Sequence, residues 1–294
     1  MKRFATVTGL LAGFSLFAVT LVRGTEPGGP PLRIGKSGVL NSDANGREKG
    51  GMQTFEEFIK DETGLPANIE VRKDWRDVVA GMEHGDLQMG VFQGFEFAWA
   101  QEQQPKLKPL AVGINAQRYR VVCIVTSQNN PATNFAGLKG QTLSIPEQGQ
   151  SVFRLVVDHE VAAQKSTPEN FFKKLTINQG IEDALDDVVD GNVQAAVTDR
   201  PALDTYKRRK SGRFSQLKVV FESQPLPPPV IAYYDERPDS NTRQRFVRGV
   251  LEANRKESGR NVLTLLRLTA FEPVPPDFDK VLAATRKTYP APGK

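Results

Sequence analysis

The feature that most constrains the fold is a pair of matching segments, Glu83 to Gln101 and Asp190 to Tyr206. Each passes from a helix end through a glycine-containing turn into a short apolar strand, and then through a second turn into another helix. Because strands that alternate with helices form α/β units, two such segments far apart in the chain predict two similar lobes. Lobes that face each other enclose a cleft, which is where α/β proteins bind small ligands.

The chain around these segments repeats one order of elements. Leu32 to Gly38 predicts a first strand, and the apolar spacing of Gly50 to Gly64 predicts an amphipathic helix that ends at its glycine. Strands and helices then alternate, and a second run of the same order extends from Tyr119 to Ser223. The C-terminal part is predicted to be mostly helical, over Asn241 to Leu268 and Pro276 to Thr288.

These elements predict an α/β fold of two lobes, each a mostly parallel sheet flanked by helices. We expect lobe one to comprise residues 32–115 plus 231–294, and lobe two to comprise residues 119–224. The chain would cross between them near 116–118 and again near 225–230, where the prolines of QPLPPPV favour a rigid extended segment. Two crossings of this kind predict a two-strand hinge.

The charge of the chain argues against one class of function. Its 294 residues carry a net charge of +5, and the densest basic run is Lys207 to Lys210. So mild a charge does not indicate a nucleic-acid partner. The basic run is typical of a solvated helix C-terminus, where cations interact favourably with the helix dipole.

The N-terminal residues 1–24 predict export from the cytoplasm. Lys2 and Arg3 precede an uncharged apolar run from Ala5 to Val22, and residues 25–31 follow as a spacer. The run has the form of a secretory signal peptide, and its length also suits an uncleaved N-terminal membrane anchor. On either interpretation, the folded part of the chain is expected to be periplasmic or otherwise extracytoplasmic.

Cysteine and histidine content gives no metal or cofactor signature. Cys123 lies in a β-branched run typical of a buried strand, and one cysteine cannot form an internal disulfide. His84 and His159 lack the spacing of metal ligands. No nucleophile and base pair, metal set or phosphate loop is recognisable, so we expect neither an enzyme nor a cofactor.

Over Leu32 to Phe278 the chain resembles periplasmic substrate-binding proteins of ABC transporters, of the phosphate, phosphite and phosphonate type. The resemblance rests on the order and spacing of several segments, which are LRIG, YRVVCIVTSQNNPATNFAGLKGQTLSIP, GNVQAAVTDRPALD, FESQPLPPPVIAYY and LLRLTAFEPVPPDFD. It implies a type II periplasmic-binding-protein fold that closes on its ligand. It also implies an ABC transporter permease as partner, and we expect the protein to be a monomer.

The resemblance places a first group of ligand-binding candidates after the strand of lobe one. The family has a Gly-Pro-x-x-Tyr turn whose tyrosine touches the ligand, and the matching residues here are Gln93-Gly94-Phe95-Glu96-Phe97. Phe95, Glu96 and Phe97 are therefore candidates, with the tyrosine replaced and an acid gained. Ser37, on the turn after the first strand, is another candidate.

A second group of candidates comes from lobe two. The family's hydroxyl-rich turn before a long helix corresponds to Pro146 to Ser151, which makes Gln148, Gln150 and Ser151 candidates. A family histidine before a helix corresponds to Glu182. The family's acidic position after a strand is kept as Asp199, and Arg200 beside it could pair with an acid or with a ligand carboxylate.

These substitutions leave the chemistry of the ligand open between two classes. Helix N-termini with nearby hydroxyls suit an oxyanion. Acids at or near such termini, which are Glu147, Glu182 and Asp183, would repel an oxyanion unless they cap their own helices. An aromatic and acidic lining would suit a cationic or hydrogen-bonding organic ligand, whereas core packing is the other interpretation of the aromatics; this lining comprises Phe92, Phe95, Phe97, Trp99, Glu96 and Asp199.

Three functions compete at this point. The first is a solute-binding protein that captures a small molecule in an interlobe cleft and delivers it to an ABC transporter. The second is a membrane-anchored sensor or accessory binding module of the same fold, favoured if Ala5 to Val22 is retained. An enzyme on this fold is the third, for which the chain shows no catalytic residues.

Overall fold

A computed structural model describes residues 31–37, 47–147, 149–178 and 180–293. The predicted signal peptide or anchor and all but the last residue of the spacer lie outside this part. The described strands follow the predicted order. They are β1 (Leu32–Ser37), β2 (Ala67–Arg72), β3 (Met89–Phe92), β4 (Leu107–Ile114), β5 (Val122–Ser127), β6 (Thr142–Ser144), β7 (Lys174–Thr176), β8 (Ala195–Asp199), β9 (Leu217–Glu222), β10 (Val230–Tyr234) and β11 (Ala270–Glu272).

The helices fill the intervals between these strands, and the C-terminal part is mostly helical as predicted. They are α1 (Arg47–Thr63), α2 (Trp75–His84), α3 (Gly94–Gln103), α4 (Gln150–Ala163), α5 (Pro168–Phe171), α6 (Ile181–Val189), α7 (Arg200–Arg209), α8 (Ser211–Phe214), α9 (Ser240–Leu251), α10 (Glu257–Leu266) and α11 (Phe278–Thr288).

Local chemistry explains where such helices begin and end, and α2 illustrates it. The carboxylate of Asp74 accepts hydrogen bonds from the backbone N–H groups of Arg76 and Asp77, which satisfies two donors of the first turn. The helix ends at Gly85, whose φ of 86° lies in the left-handed region that glycine adopts without strain. The sequence therefore fixes both ends of the helix that leads into β3.

The first sheet has six strands in the order β11-β4-β10-β3-β1-β2. β1 pairs in parallel with β2 and β3. β10 runs antiparallel to both β3 and β4, and β11 runs antiparallel to β4. This sheet therefore combines the N-terminal strands of the chain with strands that return after residue 229.

The second sheet has five strands in the order β7-β6-β8-β5-β9. β6 pairs in parallel with β7 and β8, whereas β5 runs antiparallel to β8 and β9. Four of the six described strands in the first sheet and four of the five in the second run in one direction, so each sheet is mostly parallel as predicted, with β10 and β11 reversed in the first and β5 in the second. β5 and β10 are reversed because they enter their sheets from the edge where the parallel strands end, so they must run in the opposite direction.

The two sheets repeat one plan. The run β2-β1-β3-β10-β4 in the first sheet matches β7-β6-β8-β5-β9 in the second, position by position and direction by direction. The equivalent strands β3 and β8 each lie beside the strand that arrives from the other sheet. The segments that matched in the sequence, β3 to α3 and β8 to α7, are therefore structurally equivalent.

The C-terminal helix α11 ties the two halves together. Phe278 stacks on Phe97 of α3, with ring centroids 6.2 Å apart. The indole N–H of Trp99 donates to the carbonyl of Tyr289 at 2.7 Å. The ring of Tyr289 in turn packs edge-on against His159 of α4 at 4.8 Å. His159 thus takes part in packing between elements of the two sheets.

Candidate functional site

The connections between the sheets bring the carboxyl ends of their parallel strands together. β4 ends and β10 begins at the edge of the first sheet where β3 ends, because Val230 pairs with both Phe92 and Val112. β5 begins at the corresponding edge of the second sheet, where Val122 pairs with Asp199. The residues that follow β1, β3, β6 and β8 therefore face one another across the two crossing segments, which is where α/β sheets bind ligands.

The crossing segments are hydrogen-bonded to each other at one point. The backbone N–H of Arg120 donates to the carbonyl of Leu226 at 3.0 Å, and the N–H of Leu226 donates back to the carbonyl of Arg120 at 2.8 Å. A cavity of about 20 Å³ adjoins this point, between Arg120, Asp199 and Pro228. Its size is that of a single water molecule.

In the turn from β3 to α3, Glu96 is hydrogen-bonded to Ser37, which is another predicted site residue. Its Oε2 accepts a hydrogen bond from the Ser37 hydroxyl at 2.8 Å and another from the backbone N–H of Gln93 at 3.0 Å. The second bond is the reach of an N3 carboxylate back to the N-cap, which stabilises a helix start. Glu96 therefore connects the end of β1 to the start of α3.

The environment of Glu96 opposes its charge. The residue is 1% exposed, and burial raises the pKa of its carboxyl, while the hydrogen bonds from Gln93 and Ser37 act to lower it. Burial outweighs them, so the pKa lies above the ordinary value for glutamate. Both hydrogen bonds go to Oε2, so the carboxyl group is bonded to groups of the protein.

Gly94 explains why the turn from β3 to α3 lies so close to the second crossing, near residues 225–230. A Cβ atom at this position would stand 2.0 Å from the carbonyl oxygen of Pro227 and 2.6 Å from that of Pro228. Both are backbone atoms, so no side-chain rearrangement could make room. The absence of a side chain at Gly94 lets α3 start directly against the proline-rich crossing.

The aromatic residues of the turn from β3 to α3 lie in the packed core. Phe92 and Phe97 are both 0% exposed, with ring centroids 6.1 Å apart. Phe95 packs edge-on against Trp99 at 5.0 Å and is also buried. Their surfaces are taken by other side chains, so the structure lends support to core packing and none to a ligand contact at Phe95 or Phe97.

In the turn from β8 to α7, Asp199 caps α7. Its Oδ1 accepts a hydrogen bond from the backbone N–H of Ala202 at 3.0 Å, and its Oδ2 lies 3.5 Å from Nε of Arg120. The residue is 4% exposed. The neighbouring Arg200 donates its backbone N–H to the carbonyl of Val121 at 3.0 Å. The start of α7 is thereby fixed to the first crossing segment.

The side chain of Arg200 has an acidic partner. It forms an ion pair with Glu222 at the end of β9, and both side chains are partly exposed. Arg154 pairs with Asp158 one turn along α4. Among the described contacts, each arginine therefore pairs with an acid of lobe two.

The start of α4 differs from the other helix starts at this edge. Its N-cap is Gly149, which has no side chain to cap the helix, and its first turn contains no acid. Gln150 and Ser151 open the helix and are half-buried, and the Ser151 hydroxyl oxygen is buried without a hydrogen-bond partner. Gln148 lies outside the described residues.

Glu182, in the first turn of α6, is held by cations. Its carboxylate oxygens lie 2.7 Å from Arg209 and 2.9 Å from Lys210, both at the end of α7. The carboxylate of Asp183 reaches back toward the N-cap, since a Cβ on Gly180 would meet its Oδ2 at 2.9 Å. The start of α6 is thus occupied by the chain's own carboxylates.

The structure also shows site-edge residues that the sequence analysis missed. Ser144, at the end of β6, is the equivalent of Ser37 and donates its hydroxyl to Asn178 Oδ1 at 2.6 Å. Asn178 then donates to Asp187 Oδ2 at 2.6 Å. A serine at the end of each of the equivalent strands β1 and β6 was the available signal. Arg120 carried no such signal, because its partner is far away in the sequence.

Two further findings apply to the part of the chain that the structure describes. No helix there is long and apolar enough to cross a membrane. No group of three or more His, Cys, Asp and Glu side chains is placed to hold a metal ion.

Comparison with known families assigns the chain to a class. Residues 38–277 match the family described as ABC transporter, phosphonate, periplasmic substrate-binding protein. This match covers most of the chain, so the chain belongs to that family of solute-binding proteins. Membership implies a small-molecule ligand, an ABC transporter partner and an extracytoplasmic location. A comparison with curated proteins gives no match.

Solved structures show the same fold at low sequence identity. XAC2383 from Xanthomonas citri bound to chloride ion is 14% identical, with a TM-score of 0.62 over 88% of this chain and 96% of that one. PhnD1 from Prochlorococcus marinus in complex with methylphosphonate is 13% identical, with a TM-score of 0.58 over 87% of this chain and 97% of that one. A binding protein component of an ABC phosphonate transporter from Pseudomonas aeruginosa is 14% identical, with a TM-score of 0.56 over 88% and 87%. The predicted type II fold class is confirmed.

Proposed function

We propose that this substrate-binding protein captures a small phosphonate or related oxyanion between its lobes and delivers it to its ABC transporter. The observation that carries the choice of ligand is the start of α4. That helix begins at the carboxyl edge of the second sheet with Gly149 as N-cap, no acid in its first turn and an unpartnered Ser151 hydroxyl. The Gln150 N–H already donates to the carbonyl of Glu147 at 3.0 Å, so the Ser151 N–H and hydroxyl are the donors that this start offers, and donors at a helix N-terminus favour an anion.

The contrast with neighbouring helices supports this choice. Four other helices that follow strands at the two edges have a carboxylate of the chain at their start, contributed by Asp74, Glu96, Asp183 and Asp199. A bound anion would be repelled there. Among the helices whose N-caps are described and that begin at these edges, the start of α4 is best suited to an anion.

Three of the acids that favoured a cationic ligand have partners within the protein, whereas Glu147, two residues before the N-cap of α4, is exposed to solvent. Glu96 is buried and accepts two hydrogen bonds, Glu182 pairs with Arg209 and Lys210, and Asp199 pairs with Arg120. Their charges are offset within the protein, so their presence at the edge does not argue strongly against an anion. The oxyanion is the better supported of the two ligand classes.

The lobes that would close on the ligand are those proposed from the sequence, residues 32–115 plus 231–294 and residues 119–224. The sheet composition supports this division, because β1 to β4 with β10 and β11 form one sheet and β5 to β9 form the other. Ligand contacts would come from Gln150 and Ser151 of α4 and from the Arg200 side chain beside Asp199, while the Ser37 hydroxyl across the cleft stays donated to Glu96. Closure would bury the ligand, and binding energy would select the closed state.

Other finer properties are part of the proposal. The family consists of transport proteins, and we infer that this chain is likewise not an enzyme. It would act as a monomer, with residues 1–24 either cleaved as a signal peptide or retained as an anchor. N-terminal sequencing of the protein from its native host distinguishes those two outcomes.

Isothermal titration with methylphosphonate, and in parallel with ethanolamine as a cation, tests the ligand class. We expect the wild-type protein to bind methylphosphonate and not ethanolamine. Gln150→Glu adds one charge to the start of α4 without changing side-chain shape, and it should weaken methylphosphonate binding about tenfold or more. Binding of ethanolamine alone would contradict the proposal.

The matched control is Gln244→Glu on α9. This glutamine is exposed, and α9 follows β10 at the opposite edge of the first sheet, since β10 runs antiparallel to β3. The same change of charge there should leave methylphosphonate affinity within about twofold of wild type, because exposed charges farther apart than the Debye length are screened. An equal loss in both variants would refute a specific role for the start of α4.

A further inference from the structure

We propose that Arg120 is a positioning residue for ligand binding: it neutralises Asp199 and holds the start of α7 against the hinge. The inference rests on the function proposed above, in which the Asp199-Arg200 turn forms one wall of an oxyanion site. Neither Arg120 nor its ion pair follows from the sequence pattern.

The geometry of the pair is specific. Nε of Arg120 lies 3.5 Å from Oδ2 of Asp199, and the two side chains are 23% and 6% exposed. The other carboxylate oxygen, Oδ1, accepts from the N–H of Ala202. The carboxylate is therefore divided between two tasks, capping α7 with one oxygen and facing a guanidinium with the other.

Arg120 also lies just after the first crossing, residues 116–118, where the chain meets the second crossing. It exchanges both backbone hydrogen bonds with Leu226 of the second crossing. The next residue, Val121, accepts the backbone N–H of Arg200. One short segment thus contacts the second crossing with its backbone and the start of α7 with its backbone and side chain. Through these contacts, a change in hinge geometry would move the turn from β8 to α7.

Nearby arginines do not offer the same compensation. Arg200 forms its ion pair with Glu222. Arg118, two residues before Arg120 on the first crossing, pairs with Glu272 of β11 at 2.9 Å and is half-exposed. Asp199 is buried, so its charge depends on the guanidinium of Arg120 for a counter-ion.

The consequence for a ligand depends on the sign of its charge. Without Arg120, the carboxylate of Asp199 would be an uncompensated negative charge in the wall of the site. An oxyanion would then be repelled, whereas a cation would be attracted. The sign of the affinity change therefore reports on the ligand class as well as on Arg120.

The test is a double-mutant cycle measured by titration with methylphosphonate. We expect Arg120→Gln to weaken binding about tenfold, which corresponds to about 1.4 kcal/mol. Asp199→Asn keeps a good N-cap residue and removes the charge. In that background, Arg120→Gln should change affinity by no more than about twofold, because the charge that it compensates is gone. An equal tenfold loss in both backgrounds would overturn the proposal.

Arg118→Gln is the matched control, since it removes the same group from a nearby position whose ion pair is with Glu272 and not with Asp199. It should leave methylphosphonate affinity within about twofold of wild type, as expected for an exposed ion pair. Arg120→Lys, which keeps the charge, should restore most of the affinity. Equal losses in Arg118→Gln and Arg120→Gln would show a general effect on the hinge and would refute the specific pairing.

Amide hydrogen exchange separates failure of this inference from failure of the proposed function. The Ala202 amide, bonded to Asp199, should exchange faster in Arg120→Gln than in wild type or Arg118→Gln, with no ligand present. If wild-type protein does not bind methylphosphonate but this difference appears, the proposed ligand is wrong and the positioning role stands. Unchanged exchange at Ala202 in Arg120→Gln would overturn the positioning role, whatever the ligand.

Discussion

The turn from β3 to α3 and the turn from β8 to α7 occupy equivalent places, yet they are held in different ways. The first is capped by Glu96, which reaches back from inside the helix to Gln93 and also binds Ser37. The second is capped by Asp199 at the N-cap itself, with Arg120 beside it. One carboxylate is compensated by neutral donors and the other by a cation.

Each turn also rests on a different crossing segment. Gly94 packs against the backbone of Pro227 and Pro228, whereas Arg200 donates its backbone N–H to Val121. The contact in lobe one depends on shape, because it needs the absence of a side chain. The contact in lobe two depends on polar groups. The comparison teaches that equivalent backbone positions can be fixed by packing in one lobe and by electrostatics in the other.

The largest expected effect comes from filling the space at Gly94. Gly94→Ala places a Cβ within 2.6 Å of two backbone carbonyl oxygens, and the crossing or α3 must shift. We expect the free energy of unfolding to fall by about 3 kcal/mol or more, at the upper end of overpacking effects. Urea denaturation measures it.

Gly212→Ala is the control for this substitution. Gly212 lies in α8 and a Cβ there would meet no atom within 4 Å. This variant should be neutral or stabilised by up to about 1 kcal/mol, because alanine loses less backbone entropy on folding. If Gly94→Ala matches Gly212→Ala, the close packing of the first turn is refuted.

The next effect compares the two caps directly. Glu96→Ala removes the acceptor of a buried hydroxyl and a buried N–H, and should lower the free energy of unfolding by about 2–4 kcal/mol. Asp199→Ala removes one cap and leaves a partly exposed Arg120, which should cost about 1–2 kcal/mol. Thermal and urea denaturation of both variants rank them. A larger loss in Asp199→Ala would reverse the comparison.

A smaller effect is expected in the pH dependence of the free energy of unfolding, to which Glu96 contributes. Burial raises its pKa above the unfolded value, so the folded state holds the proton more tightly than the unfolded state. The stability associated with this proton is present below the unfolded pKa and is lost as pH rises through the folded pKa. Glu96→Gln lacks the titrating group, so its stability relative to wild type should increase from pH 4 to pH 7.

The measurement is urea denaturation of wild type and Glu96→Gln at both pH values. Asp77→Asn, an exposed acid in the first turn of α2, serves as a control for general charge effects. A relative stability of Glu96→Gln that falls as pH rises would show that the hydrogen bonds outweigh burial.

The smallest effect is expected at the exposed ion pair of the second turn. Arg200 and Glu222 are 31% and 46% exposed, and such pairs contribute little. Arg200→Gln should change the free energy of unfolding by less than about 1 kcal/mol, as measured by urea denaturation. A larger loss would mean that the second turn depends on Arg200 as well as on Arg120.

The sequence predicted what local patterns determine. The alternation of apolar strands and amphipathic helices predicted a strand over Leu32 to Gly38, where the structure has β1 (Leu32–Ser37), and the repeat of that order indicated two lobes. Strand direction was less accessible, because β5 and β10 acquire their antiparallel partners only when the chain crosses between sheets. The composition of a strand does not encode that choice.

The site was predictable in position but not in contacts. Asp199 lies where a helix is expected to start, so a cap at this residue follows from its type. The partners Ser37 of Glu96 and Arg120 of Asp199 lie far away in the sequence, and only the folded chain brings them together. These distant contacts turn acids that suggested a cationic ligand into groups offset by the protein.

The most direct test of the account is a crystal structure of the protein grown with methylphosphonate. The account predicts that the phosphonate oxygens lie at the start of α4, within hydrogen-bond distance of the Gln150 side chain and of the Ser151 N–H and hydroxyl. Glu96 and Asp199 should remain bonded to Ser37 and Arg120. A ligand contacted by the carboxylates of Glu96 or Asp199, with the start of α4 unoccupied, would contradict it.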